Sequence, residues 1–209
     1  MAHWRFDEGE GTVLYDDSDN NNDGTLELGS SGQTSAGLVK SAGNTAWYNG
    51  RMGKQSYSLN FDGIDDYVDL GSDSSLDITG KYISVAAWVK RNSLSGGYIV
   101  SRGRNASSCY AYTLYQNGDK FQWYPRSGTE AASLSHDDYA WHYVVGVYDA
   151  TLPSENMKIY VDGVLEGTND QTSSLVSVAC NTIIGADPCL LYTSPSPRDL
   201  STSRMPSSA

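Results

Sequence analysis

The segment Ser56–Leu70 constrains the fold most, because two runs of alternating apolar residues flank an acidic turn that contains a glycine. Tyr57, Leu59 and Phe61 share one face at a period of two, and the alternation resumes at Val68. The pattern is typical of a β-hairpin with one buried face. It predicts a sheet in which each strand turns one side toward a core.

The composition extends this expectation to the whole chain. The sequence has 209 residues, of which 15 are Tyr and 21 are Gly, and its strand-forming runs are separated by clusters of Gly, Asn, Asp and Ser. No run shows helical periodicity. We therefore expect one all-β domain of the antiparallel sandwich type, since such sandwiches often reach this length undivided.

Alternation locates the individual strands. Ile83–Lys90 is apolar on both faces, which predicts a central strand between two covered surfaces. The predicted strands are Ala2–Phe6, Ser56–Phe61, Tyr67–Leu70, Ile83–Lys90, Tyr98–Arg102, Tyr110–Tyr115, Lys120–Tyr124, Trp141–Tyr148, Met157–Val161, Val164–Glu166 and Thr182–Ile184.

Two dipeptides predict tight hairpins. Asn117-Gly118 and Asp162-Gly163 are residue pairs that adopt the positive φ angles of two-residue turns. If Asn117-Gly118 occupies the turn, counting outward places Leu114 opposite Phe121 and Tyr112 opposite Trp123.

The charge excludes one class of partner. The formal net charge is −11 and the isoelectric point is near 4.5, whereas nucleic-acid binding depends on clustered Lys and Arg. No run approaches the roughly 18 apolar residues that a membrane span needs. An acidic surface is compatible with neutral polysaccharides, with divalent cations, or simply with solubility.

Both ends suggest a piece of a longer protein. Met1–Asp7 lacks the charged and apolar regions of a secretory signal, and it alternates like a strand from the outset. Cys189–Asp199 and Ser203–Ala209 resemble the translated reading frame of a sequencing adapter and its primer site. We therefore assign residues 1–188 to the domain and expect residues 189–209 to be a non-native, irregular tail; the alternative is a natural Ser/Pro-rich linker.

The chain has three cysteines, and Cys189 lies in the tail, so the domain itself contains Cys109 and Cys180. They can form a disulfide in a secreted parent protein, but sequence alone does not determine the pairing, and two buried free thiols are the equal alternative.

Aromatic residues are the first candidates for a ligand site. Tyr112, Trp123 and Tyr124 carry flat rings that can stack on sugars, whose C–H groups present apolar surface. The alternative is that the same rings pack in the core.

The ordinary signatures of catalysis and zinc binding are missing. No serine lies in a Gly-x-Ser-x-Gly motif. His3, His136 and His142 have no partner ligands at zinc spacing. His142 adjoins Trp141 in a predicted strand, and a structural role is expected for it.

Several short motifs, taken in order, resemble the laminin-G-like, concanavalin-type jelly-roll family. They are Trp4–Gly11, Gly53-Lys54, Leu59–Gly63, Asp66–Val68, Ala87–Lys90, Trp141-His142, Ile159–Gly163 and Ile184–Ala186. The resemblance implies a two-sheet jelly-roll sandwich, usually a module of secreted or cell-surface proteins that binds glycans or other proteins. The family normally closes with one more strand, which this chain is expected to lack.

The resemblance also implies a calcium site. Asp17, Asp19, Asn21 and Asp23 lie in a stretch similar to the acidic loop that follows the first strand in this family, where calcium often binds. An EF-hand loop ends in Glu at its twelfth position. Counted from Asp19, the twelfth residue here is Ser30, so an EF-hand is excluded. The alternative is an ordinary turn rich in Asn, Asp and Gly.

The function that these observations favour is a non-catalytic, lectin-like binding module with other domains of its parent chain as neighbours. The Glu-x-Asp-x-x-Glu strand of sandwich glucanases is absent, so we expect no enzyme activity. A protein-binding adhesion or structural module is the first alternative, and a fragment of a glycoside hydrolase is the second.

Overall fold

The computed structural model describes residues 1–30, 32–37, 44–49, 57–103, 111–126, 128–171 and 173–187. These residues form β-strands and one 3₁₀ turn, Ser74–Leu76. The strands are β1 (Val13–Leu14), β2 (Gly24–Glu27), β3 (Trp47–Asn49), β4 (Tyr57–Leu59), β5 (Tyr67–Asp69), β6 (Tyr82–Lys90), β7 (Gly97–Ser101), β8 (Thr113–Asn117), β9 (Lys120–Tyr124), β10 (Ala131–Ala132), β11 (Trp141–Asp149), β12 (Met157–Val161), β13 (Val164–Asn169) and β14 (Ile183–Ile184). The adapter-like tail lies outside the described residues.

The larger sheet has eight antiparallel strands in the order β1-β2-β5-β14-β7-β8-β9-β10. One row of directly paired residues crosses seven of them, and directly opposite residues in an antiparallel sheet point to the same side. The row runs Leu26, Val68, Ile184, Val100, Leu114, Trp123 and Ala131. The row contains members of two hydrophobic clusters: Leu114, Trp123 and Ala131 belong to the first, and Leu26, Val68 and Ile184 belong to the second. The face that carries this row therefore lies against both clusters.

The second sheet covers half of that face. It contains four antiparallel strands in the order β13-β12-β11-β6. Along β11, buried His142, Val144, Gly146 and Tyr148 alternate with more exposed residues, as expected for a strand with one face on a core. Gly146 has no side chain, and the Trp123 ring of the larger sheet fills that space.

A third, two-stranded sheet packs on the other half of the face. β3 pairs with β4, and buried Trp47 joins Leu14, Leu26 and Val68 in the second hydrophobic cluster. The architecture is therefore an all-β antiparallel sandwich, and the predicted fold class is confirmed.

The hairpin predicted within Ser56–Leu70 is wrong in its pairing. Both strands exist, but β4 pairs with β3, whereas β5 pairs with β2 and β14. The connection carries the chain from one sheet to another, which alternation along one segment does not reveal.

Three other local predictions need correction. Ala2–Phe6 is not a strand, because Trp4 forms only an isolated bridge with Asp16 and Phe6 has a φ of 59°. Ile83–Lys90 lies in β6 at an edge of the second sheet within the described residues, rather than at its centre. On the outer side of β6, the Trp88 ring packs against the Tyr143 ring of the neighbouring strand, with 5.1 Å between the ring centroids.

The third correction concerns the β8–β9 hairpin. Asn117 pairs with Lys120, so the two turn residues are Gly118 and Asp119, and Leu114 faces Trp123 instead of Phe121. Gly118 has a φ of 60° and takes the first turn position, where type II′ turns require glycine. Tyr112 precedes the paired segment. By contrast, Asp162-Gly163 forms the predicted β12–β13 turn, with φ angles of 51° and 86°.

No helix in the described part of the chain has the length and apolar character that crossing a membrane would need.

Candidate functional site

The three aromatic residues that were candidates for sugar stacking are all buried. The exposed fractions are 5% for Tyr112, 0% for Trp123 and 7% for Tyr124. The Tyr112 hydroxyl donates to the Leu76 carbonyl oxygen at 3.0 Å. Tyr112 and Trp123 pack in the first hydrophobic cluster, whereas Tyr124 is buried on the other face of β9, so none of the three rings offers a surface for stacking on a sugar.

The loop predicted to bind calcium is organised around a different residue, Asp16. Its carboxylate accepts hydrogen bonds from the backbone amides of His3, Ser18 and Asn22 at 2.8, 2.9 and 3.0 Å. Burial alone would raise the pKa of Asp16, but these hydrogen bonds lower it to about 2. The ionised Asp16 carboxylate thus holds the loop together by accepting backbone amides from three places in the chain. The sequence pattern did not indicate this role.

The four predicted calcium ligands have separate contacts. The Asp17 carboxylate pairs with Arg5, and Asp23 Oδ1 accepts the Asp16 amide at 2.9 Å. The Asn21 side chain donates to the backbone carbonyl of Asp19 at 3.4 Å. Within the described residues, the carboxylates of Asp17, Asp19 and Asp23 do not form a group of three metal-ligating side chains.

An acidic cluster of another kind lies in the turn between β4 and β5. Ligand oxygens of Asp62, Asp65 and Asp66 lie within 4.8 Å of one another. Asp65 Oδ2 accepts the amide and hydroxyl of Ser30, and Asp66 Oδ1 accepts the Gly29 amide at 3.1 Å. Burial raises the pKa of Asp66. The observed contacts fasten this turn to the chain segment that follows β2.

A surface cleft of about 340 Å³ lies beside the first strand. It is lined by Arg5, Asp7, Glu8, Tyr15 and Asp17, and is here called the Tyr15 cleft. Tyr15 is 58% exposed, although its chain neighbours Leu14 and Asp16 are buried. The alternation therefore turns an aromatic residue outward among charged groups.

Hydrogen bonds that involve the backbone hold the two walls of the Tyr15 cleft together. The Asp17 amide donates to the His3 carbonyl at 2.8 Å, and the Trp4 indole donates to the Asn22 carbonyl at 2.8 Å. Glu8 Oε1 accepts the Tyr15 amide at 2.9 Å. The cleft is thus built from the segment before β1 and the residues that leave it, so its shape depends on the same loop that Asp16 closes.

The side chains of the cleft supply both hydrogen-bond donors and acceptors. The Arg5 guanidinium hydrogen bonds to Asp17 through Nε and lies 4.0 Å from Asp7 Oδ2. The hydrogen bond from Arg5 lowers the pKa of Asp17, and the same contact raises that of Arg5. At neutral pH the cleft therefore presents fixed charges of both signs around an exposed ring.

A second polar cluster closes one end of the core. His142 Nδ1 lies 2.7 Å from Asp162 Oδ2, and His142 Nε2 lies 2.9 Å from Asp138 Oδ1. His136 Nε2 lies 2.8 Å from Glu166 Oε2, and the two imidazole rings are 4.7 Å apart. These contacts join the loop after β10 to β11, to β13 and to the β12–β13 turn, so the histidines have structural partners, as the sequence suggested for His142.

The contacts of His142 favour its protonated form. Ionised carboxylates only accept hydrogen bonds, so both contacts are hydrogen bonds when the ring is an imidazolium. Burial opposes the charged ring, but the hydrogen bonds to Asp138 and Asp162 outweigh burial and raise the pKa of His142 above its usual value of 6.5.

This geometry predicts a pH-dependent contribution to stability. Because the folded-state pKa of His142 is raised, its contribution is complete below about pH 6.5 and falls as the pH rises through the folded-state value. The pKa values of Asp138 and Asp162 are lowered, so the contribution also falls in acid. We expect His142→Asn to cost about 1 kcal/mol near pH 6 and less near pH 9, measured by urea unfolding.

His3→Asn is the matched control, since the His3 side chain is 61% exposed. It should leave the pH profile unchanged. A constant cost of His142→Asn from pH 6 to pH 9 would show that the ring acts only by packing.

Two facing antiparallel layers, packed through one apolar face of the larger sheet, define a β-sandwich. Residues 62–196 match the Laminin_G_3 family, the concanavalin A-like lectin/glucanases superfamily. The match covers more than half of the chain, so the chain belongs to this family, as the ordered motifs predicted. No curated protein sequence matches the chain significantly.

Two solved structures have a similar fold. One is a structure of botulinum neurotoxin type C, whose cell entry depends on interaction with two ganglioside molecules. It has a TM-score of 0.58 and 14% identity, and the match covers 90% of this chain and 43% of that one. The other is a botulinum neurotoxin serotype D ligand binding domain in complex with N-acetylneuraminic acid, with a TM-score of 0.52, 16% identity and coverages of 86% and 41%. The chain spans less than half the length of either structure, and at this identity the likeness concerns the fold.

Proposed function

We propose that this chain is a non-catalytic carbohydrate-binding module of a larger secreted or cell-surface protein, and that the Tyr15 cleft holds the sugar. The observation that carries the proposal is the exposed Tyr15 ring, bordered by Arg5, Asp7, Glu8 and Asp17. Protein sites for sugars combine an aromatic platform with polar groups that fix hydroxyl orientation. The ligands named for the two similar structures, gangliosides and N-acetylneuraminic acid, support a glycan as the class of ligand. Both of those ligands carry a carboxylate, but at 14% and 16% identity the charge of the ligand does not carry over to this chain.

The absence of catalysis is part of the proposal. Glycoside hydrolysis needs a carboxylic acid with a raised pKa beside a second carboxylate. The pKa of Asp17 in the cleft is lowered instead. Among the described carboxyl groups with a shifted pKa, only that of Asp66 is raised, and its oxygens accept the Gly29 and Asp62 amides.

A secreted or cell-surface origin has one supporting feature. Cys180 is disulfide-bonded, and structural disulfides are typical of oxidising compartments. Cys109 lies outside the described residues, so its pairing with Cys180 stays a prediction. Other domains of the parent protein are the expected neighbours in the chain.

Calcium also stays a proposal. Asp17 lies in the Tyr15 cleft, so an ion at the predicted loop ligands Asp17, Asp19, Asn21 and Asp23 would adjoin the sugar site. Oxygen ligands of this type suit calcium. Binding and thermal unfolding with excess calcium, compared with EDTA, test whether the loop uses the ion.

The direct test of the proposed function is a glycan array followed by titration of the strongest binder. We expect Tyr15→Ala to weaken binding about tenfold, because the substitution removes the stacking surface, worth roughly 1 to 1.5 kcal/mol. Tyr48→Ala is the matched control, because Tyr48 is 54% exposed on β3, outside the cleft, and it should bind like the original chain.

Three other outcomes would change the assignment. A blank array would favour the protein-binding adhesion module. Turnover of β-glucans would favour the glycoside hydrolase fragment. Sugar binding that Tyr15→Ala leaves intact would keep the lectin class but move the site.

A further inference from the structure

We infer that the Tyr15 cleft takes neutral glycans and discriminates against glycans that carry a carboxylate, such as sialylated or uronic-acid sugars. This inference rests on the proposed function and names its ligand class. Two observations lead to it: the lining residues carry a net negative charge, and Arg5 already contacts Asp17 and Asp7.

The lining has an excess of negative charge. Asp7, Glu8 and Asp17 contribute three negative charges and Arg5 contributes one positive charge, so the described lining carries −2. Aspartate and glutamate are ordinarily ionised at neutral pH, and the hydrogen bond from Arg5 lowers the pKa of Asp17 further. The whole chain has the same sign, with a formal net charge of −11. An anionic ligand therefore meets repulsion at long range and again within the cleft.

The arginine does not offset this repulsion, because internal carboxylates engage it. Arg5 Nε binds Asp17, and Asp7 lies 4.0 Å from the same nitrogen. A sugar carboxylate would have to compete with both for the guanidinium. Among the described lining residues there is no second cation that could receive it.

Neutral hydroxyls suit the same groups better. A hydroxyl both donates and accepts, so it can donate to Asp7 or Asp17 and accept from the terminal nitrogens of Arg5. Hydrogen bonds to charged groups are stronger than those between neutral groups. The exposed face of Tyr15 then takes the apolar side of the sugar ring.

The test is an array of matched pairs, such as lactose beside 3′-sialyllactose. It is read with the original chain and with the variants Tyr15→Ala, Asp7→Asn and Glu27→Gln. We expect each neutral glycan to bind about tenfold more tightly than its acidic partner at physiological salt, and the ratio to shrink in high salt. Asp7→Asn should lower the ratio. Glu27→Gln, which removes one charge from an exposed position on β2 outside the cleft, should not.

Each outcome decides between the two proposals. Tight binding of acidic glycans that Tyr15→Ala abolishes would overturn the neutral-glycan inference and leave the proposed function standing. Equal binding of both members of each pair would do the same. A blank array would overturn both. Binding that Tyr15→Ala does not change would overturn the neutral-glycan inference and the placement of the site, and would leave the carbohydrate-binding class standing.

Discussion

Replacing Trp123 by alanine should destabilise the domain by about 3 to 5 kcal/mol, the usual cost of deleting a fully buried large aromatic ring. Trp123 lies in the row of paired residues that crosses the larger sheet, between Leu114 and Ala131. Its ring fills the space above Gly146, where an added Cβ would lie only 2.4 Å from a ring carbon. Alanine would therefore leave a cavity at the contact between the two main sheets.

Chemical unfolding in urea, followed by near-ultraviolet circular dichroism, measures this effect. Trp88→Ala is the matched control, because Trp88 lies on the outer side of β6 and remains partly exposed. Its cost should be clearly smaller. Equal costs for both substitutions would contradict the placement of Trp123 at the centre of the sandwich.

Removing the charge of Asp77 should cost about 3 kcal/mol, because the substitution leaves a buried guanidinium without its counterion. Arg102 is 1% exposed, and its Nε lies 3.5 Å from Asp77 Oδ1. Its terminal nitrogens donate to Thr182 Oγ1 at 3.0 Å and to the Val178 carbonyl at 3.2 Å. Asp77 in turn accepts the Val178 amide at 3.1 Å. The pair thus fastens the segment before β14 to the core.

A double-mutant cycle separates pairing from packing. Asp77→Asn and Arg102→Met should each be destabilising, and the double variant should lose clearly less than the sum of the two costs. The free energies of unfolding come from urea titrations of all four proteins. Additive costs would show that the two side chains act independently and would contradict the ion pair.

Much of the fold could be predicted from local sequence because strand formation leaves a period of two. β6, β9, β11 and β12 lie where alternation placed them, and Asp162-Gly163 forms the predicted turn. Four short strands, β1, β2, β3 and β10, were not predicted, because two to four residues seldom show a pattern by themselves; β4, β5 and β14 are as short and were predicted.

Pairing was harder to predict, because partners distant in sequence determine it. β5 lies between β2 and β14, and no local feature near Tyr67–Asp69 specifies either partner. The β8–β9 register failed for a smaller reason, since Gly118 takes the first position of the turn rather than the second.

The candidate site was only partly predictable. Asp17 was singled out, but as a metal ligand, whereas Tyr15 and Arg5 were overlooked. Tyr15 lies between Leu14 and Asp16, and a buried aspartate hides the alternation that would mark the tyrosine as outward-facing. Conversely, Tyr112 and Trp123 have the composition of a sugar platform, and only the packing of the two sheets shows that they belong to the core.

A nuclear magnetic resonance titration of the labelled domain with the strongest glycan from the array tests the central claim most directly. We expect the shifted amide resonances to cluster at Arg5, Tyr15 and Asp17, with little change at the far end of the core around His136 and His142. Shifts concentrated at the histidine end, with Tyr15 and its neighbours unchanged, would contradict the proposed site.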